Sequence, residues 1–117
     1  MKETPFKEKV EKWLADNGFW FIKYWAGPKF TKEGIPDILA CINGRFWGLE
    51  LKGDGGTPTV LQLKNLRDIR AAGGIGVVLW PEDFDYFVAF ISGSDLGNHW
   101  YRENKDKQKR LFEKMTL

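Results

Sequence analysis

Pro36-Asp37-Ile38-Leu39-Ala40-Cys41-Ile42-Asn43-Gly44-Arg45-Phe46-Trp47-Gly48-Leu49-Glu50-Leu51-Lys52 reads as two strands joined by a two-residue turn. Asn43-Gly44 is the turn, because both residues accept the positive φ that a tight hairpin requires. Pro36-Asp37 opens the first strand, which runs to about Ile42; proline is tolerated at a strand's first residue. Arg45 to Lys52 is the returning strand. Alternate residues of a strand share a face. Glu50 and Lys52 therefore project with Gly48 and Phe46, while Leu49 and Leu51 project into apolar packing. Folding back about the turn sets Asp37 opposite Glu50, and a bulge would shift that pairing by one.

Outward from the hairpin, Phe19 to Trp25 is aromatic and β-branched and reads as a strand. Ala26 to Ile35 is a loop with turn signals at Gly27-Pro28 and Gly34. Before it, Thr4 caps a helix with Pro5 at its first position. Phe6, Val10, Trp13 and Leu14 fall on one helical face, and Asn17-Gly18 ends the helix. After the hairpin, Gly53 to Thr59 is a polar, glycine-rich loop. Thr59 caps a helix from Val60 to Ala72, with Leu63, Leu66 and Ile69 inward and Lys64, Arg67, Asp68 and Arg70 on the wet side. Ile75 to Trp80 is a continuous apolar run, as in a buried central strand. Tyr86 to Ile91 reads as a last strand, and Trp100 to Leu117 as a charged helix packed weakly or on another copy of the chain. The order α-β-β-β-α-β-β-α includes a crossover, which implies an α/β fold: a mixed β-sheet flanked by helices.

The chain has 117 residues, which fits one domain over 1–117. Hydrophobic residues at 43% exclude dominant disorder. The single Cys41 and single His99 exclude an internal disulfide and a His/Cys zinc site within one chain. Cys41 is expected to be a small hydrophobe in the hairpin's packing. No run approaches the ~18 apolar residues of a membrane span. The first residues lack a signal-peptide pattern, so the expected location is cytoplasmic. A net charge of +2 does not by itself announce a nucleic-acid partner, whereas six Trp and nine Phe call for a large-side-chain core, a stacking surface, or both.

Two carboxylates held together at one end of a hairpin repel, so positive charge belongs between them. Lys52 supplies one charge and a hard divalent cation the rest; oxygen ligands and retained waters suit Mg²⁺ or Mn²⁺. Such an ion polarises a phosphoryl oxygen and lowers the pKa of a bound water. A neighbouring ammonium orients that water or stabilises the developing charge. The layout suits phosphodiester hydrolysis, although Glu-x-Lys on one strand face is by itself usually a solvated pair. Lys23, Lys29 and Lys32 flank Tyr24, Trp25 and Phe30, an interleaving that fits a DNA backbone and exposed bases; the plainer reading makes Trp25 core and the lysines solvated. Lys105, Lys107, Lys109, Arg110 and Lys114 make the tail either a DNA-facing stripe or an ordinary solvated helix.

Gly34-Ile35-Pro36-Asp37, then Glu50-Leu51-Lys52, then Gln62 on the next helix, resembles the stand-alone, phage-type VRR-NUC branch of the PD-(D/E)xK nucleases. The resemblance runs from the first helix through Ile75–Trp80. It implies a restriction-endonuclease-like core and a metal-dependent DNA endonuclease in a bacterial or phage-infected cell. Asp37 and Glu50 would be metal ligands with the backbone carbonyl of Leu51, Lys52 the catalytic lysine, and Gln62 a supporting residue. The stand-alone members are similar to Holliday-junction resolvases, which implies structured or branched DNA and a homodimer. The family's first-helix glutamate is not placed uniquely: the favoured position holds Lys7, and Glu8 and Glu11 remain, with Glu11 better turned inward. The alternatives are an inactive DNA-binding or dimerisation module on the same fold, and a restriction-type enzyme reading duplex sequence.

Overall fold

The computed structural model describes residues 1–24 and 32–117. The hairpin forms in the register read from its turn. Strand β2 (Ile38–Ile42) pairs antiparallel with β3 (Arg45–Leu51), Ile38 opposite Leu49 and Ile42 opposite Arg45. Asn43 and Gly44 have φ of 50° and 79°, the left-handed conformations that the turn demands. β1 (Trp20–Lys23) adds antiparallel to β2, and β4 (Ile75–Leu79) adds parallel to β3, giving the order β1-β2-β3-β4. The result is a four-stranded mixed sheet flanked by helices.

Helix α1 (Glu3–Asp16) buries Phe6, Val10 and Leu14 on one face of the sheet, against Ile38, Ala40, Leu49 and Leu51. On the other face α2 (Val60–Ala71) sets Leu63 and Leu66 against Val78 and Trp80. Each such side chain contributes about 1.5–3 kcal/mol. Gly48 and Gly76 lie side by side across β3 and β4. A Cβ at Gly48 would stand 2.7 Å from Ile69 Cδ1, and one at Gly76 2.7 Å from the Leu66 carbonyl oxygen. These two glycines form the trough in which α2 lies.

The C-terminal third differs from its sequence reading. Tyr86–Ile91 is not a strand; it belongs to helix α3 (Phe84–Ile91), which follows a 3₁₀ turn at Pro81–Asp83. A short apolar run has no period of its own to separate strand from helix, and the packing decides. Phe87 turns fully inward and meets the rings of Trp13, Trp47 and Trp100 edge-on. Helix α4 begins at Asp95, earlier than expected, with Ser94 Oγ accepting from the Gly97 N–H at 3.2 Å. It continues to Thr116 and is firmly docked rather than weakly packed. Asn104 Nδ2 donates to the Val78 carbonyl at 2.7 Å, and Gln108 Nε2 to that of Gly76 at 3.1 Å. Four residues of helix rise about 6 Å and two of strand about 6.6 Å, so the two amides fall in step with alternate carbonyls of the β4 edge.

Two smaller expectations are also corrected. Arg70 does not sit on a wet face: it is half-buried and donates to the Gly76 carbonyl and to Gln108 Oε1. Cys41 is exposed rather than packed. It stands in one cross-strand row with Trp20 and Phe46, which are 67% and 50% exposed. α2 packs on β3 and β4 and leaves this part of the sheet face open. No described helix is long and apolar enough to cross a membrane.

Candidate active site

Asp37 precedes β2, and Tyr24 N–H extends the β1–β2 ladder to its carbonyl at 2.8 Å. Its Oδ2 accepts the Leu51 N–H at 2.8 Å, across the open end of the hairpin. Its Oδ1 lies 3.2 Å from Lys7 Nζ, which is also 3.2 Å from Glu3 Oε2. One backbone donor and one ammonium thus fix the carboxylate. Partial burial works to lower the Lys7 pKa, but Asp37 and Glu3 outweigh it and the net shift is upward, so this ammonium stays charged.

Glu50 sits on β3 on the α2 face, opposite Val78, and is 1% exposed. Its Oε2 is 3.4 Å from Lys52 Nζ. Its Oε1 is buried without a hydrogen-bond partner. Burial, then the charge of Asp37, push its pKa up to about 8; Lys52 opposes both and is outweighed. A buried acceptor left unpaired ordinarily costs ~1–3 kcal/mol. Sequence reading expects such an orphan to be avoided, and functional sites are where it is retained.

Hard carboxylate oxygens, one of them unpartnered, fit a Mg²⁺ or Mn²⁺ ion held by Asp37 and Glu50. Among the described residues no group of three or more His, Cys, Asp or Glu side chains converges. The two carboxylates would need backbone and water oxygens to complete the shell, and the Leu51 carbonyl is the backbone group that the motif offers.

Asp37 opens onto a cleft of about 310 Å³ between α1 and β1, lined also by Lys7, Glu8, Glu11, Lys23 and Tyr24. Both helix glutamates border the cleft, but the first-helix side chain that reaches Asp37 is Lys7. Glu11 is paired instead with Lys23, at 3.3 Å. Counting back from Val10 pointed at position 7; what the sequence could not convey is that a cation there answers the charge of Asp37. Gln62 lies on the first turn of α2 and completes a capping box. Its Oε1 accepts the Thr59 N–H at 2.8 Å, and its own N–H donates to Thr59 Oγ1 at 3.2 Å. These hydrogen bonds give it a helix-start role, and none of them goes to Asp37, Glu50 or Lys52.

Of the residues expected to meet DNA, Trp25 and Lys29 lie outside the described residues. Lys32 is exposed, and its carbonyl accepts the Tyr24 hydroxyl at 3.0 Å. Lys23 is exposed but shares its charge with Glu11. No protein-family model matches the chain, and no curated protein is detectably similar to it.

Proposed function

We propose that the protein is a Mg²⁺- or Mn²⁺-dependent endonuclease with a PD-(D/E)xK, restriction-endonuclease-like core, hydrolysing phosphodiester bonds of structured or branched DNA as a homodimer. The observation that carries this reading is Glu50, a carboxylate buried to 1% exposure, with one oxygen unpartnered, between Asp37 and Lys52. Nothing in the packing of a four-stranded sheet asks for an acid at that position. When bound, the divalent ion would supply charge neutralisation for the phosphodiester and a more acidic water.

The chain's own residues do the rest. Asp37 and Glu50 hold the ion, and Leu51 N–H and Lys7 keep the Asp37 carboxylate from rotating away. Lys52, 15% exposed at its side chain, orients the attacking water and stabilises charge on the phosphoryl oxygens. Gly53, Gly55 and Gly56 follow it around Asp54, whose carboxylate pairs with the N-terminal ammonium. The two sites of a two-fold dimer suit cuts in two strands.

A plasmid-nicking assay with Mg²⁺, Mn²⁺ or EDTA tests the reading. Nicking that EDTA abolishes and Lys52→Ala removes, with DNA binding retained, is the expected result. Metal-independent nicking, or normal cutting by Lys52→Ala, overturns it. Binding without any cutting returns the inactive-module alternative. A panel of duplex, flap and four-way-junction substrates separates a structure-directed enzyme from a restriction-type one.

A further inference from the structure

On the α2 side of the sheet a groove of about 520 Å³ runs between α2 and α4. Arg67 and Arg70 face it from α2, Lys105 and Lys109 from α4. Two acids, Asp106 and Glu113, also border it, leaving an excess of two positive charges. Lys7 is matched with Glu3 and Asp37, Lys12 with Asp16 and Lys64 with Asp68, whereas Lys9 lies 4.5 Å over the Phe84 ring. Among the described residues none of the four groove cations has a carboxylate within ion-pair distance. Three of the four are held by other means. Arg67 lies 4.5 Å over Phe112, Lys105 lies 4.8 Å over Tyr101, and Arg70 is anchored on the Gly76 carbonyl and Gln108. Aromatic faces and carbonyls fix the position of a cation without neutralising it.

Helix α4, one wall of the groove, also reaches the loop after Lys52 by way of Trp80. Lys107, on the same helix, sits 3.7 Å over the Trp80 ring, and Trp80 Nε1 donates to the Gly56 carbonyl at 2.7 Å. Gly56 lies in the loop that follows Lys52.

We propose that the α2–α4 groove is a nucleic-acid backbone site, in which Arg67, Lys105 and Lys109 contact phosphates of the DNA whose scissile bond lies at Lys52. Arg70 holds the groove's shape and adds its field. This inference rests on the nuclease reading for the identity of its ligand. Fixed, unneutralised cations on two facing helices suit phosphates, which need charge and position rather than a shaped apolar pocket.

The test measures binding of a labelled 20-base-pair duplex in EDTA, where no cutting occurs, across a salt series. The double variant Arg67→Gln/Lys109→Gln alters two exposed side chains and leaves Arg70 and Gln108 intact. We expect its affinity at low salt to fall about tenfold, and the slope of log K against log salt to shrink by about two. Lys12→Gln, which removes the same kind of charge from α1, should leave both unchanged. Unchanged binding by the double variant overturns the proposal, as does an equal loss from Lys12→Gln, which would reduce the effect to net charge. An unchanged thermal midpoint for the double variant confirms that its fold is intact; if the midpoint drops, Lys109→Gln alone carries the same comparison with a slope change of about one. Metal-dependent nicking is scored separately. Its absence, with groove-dependent binding intact, overturns the active site and leaves this site standing.

Discussion

Glu50 is the residue on which chemistry and stability meet. Its folded pKa, pushed up to about 8 by burial and by Asp37, lies above its ordinary value of 4.5. Between those two pH values the folded protein holds a proton that the unfolded chain has released, so stability falls as pH rises through this window and levels off above it. Metal-free protein is therefore expected to lose several kcal/mol, with ~5 kcal/mol as the ceiling, between about pH 5 and 8. Glu50→Gln should remove that slope and be the more stable protein at pH 8. Denaturant melts at three pH values in EDTA check both statements; parallel curves for the two proteins would contradict them. At pH 8, Mn²⁺ should raise the melting midpoint of the wild type and not that of Glu50→Gln. Asp37→Asn should sharply weaken Mn²⁺ binding in calorimetry, and unchanged affinity would remove Asp37 from the ligand set. The pairing of Asp37 with Glu50 was legible in the sequence, because one turn and a two-residue period determine it. The role of Lys7 was not, because a contact between a helix and a strand end depends on how the helix docks. Gln62 carries a capping box as well as a motif position, and the box could be read from Thr59 three residues before it.

At the scale of elements, the edge of β4 is closed by two side-chain amides of α4 rather than by another strand. An uncovered strand edge invites pairing with other chains, and removing one amide leaves a buried carbonyl unpaired. Asn104→Ala is expected to cost about 1–3 kcal/mol, read as a lower denaturant midpoint, with increased aggregation near the transition. A variant as stable as the parent would mean that the edge is closed by packing alone. The hairpin, α2 and β4 could be read from period, cap and turn, and so could the buried face of α1; its start could not, since the helix begins at Glu3 after Lys2, with no side-chain cap, rather than being capped by Thr4. α3 could not, since Phe84 to Ile91 is apolar nearly throughout and only its ring contacts with Trp13, Trp47 and Trp100 reveal the helix. The docking of α4 was hidden for another reason: Asn104 and Gln108 look like solvent residues until the β4 carbonyls are placed beside them.

For the whole molecule, one edge of the sheet is closed and part of one face is open. The β4 edge is clamped by α4, whereas the face across β1, β2 and β3 keeps Trp20, Cys41 and Phe46 in an exposed row. In the homodimer proposed above this exposed apolar row is the surface offered for the interface, and on that proposal Trp20→Lys is expected to shift sedimentation from dimer to monomer while changing the unfolding free energy of the monomer by no more than about 1 kcal/mol. A parent that already sediments as a monomer would remove the homodimer from the proposed function. The aromatic richness of the composition thus divides between a ring cluster around Phe87 and this open row. Trp80 belongs to neither group. It is 6% exposed, bonded through its indole N–H to Gly56 and covered by Lys107. It ties the strand β4, the loop behind Lys52 and the last helix to a single chromophore. A loop movement that breaks the indole's hydrogen bond and wets its ring shifts tryptophan emission to the red. The difference spectrum between the parent and Trp80→Phe is therefore a built-in optical gauge of loop position, readable as DNA arrives and without any attached dye.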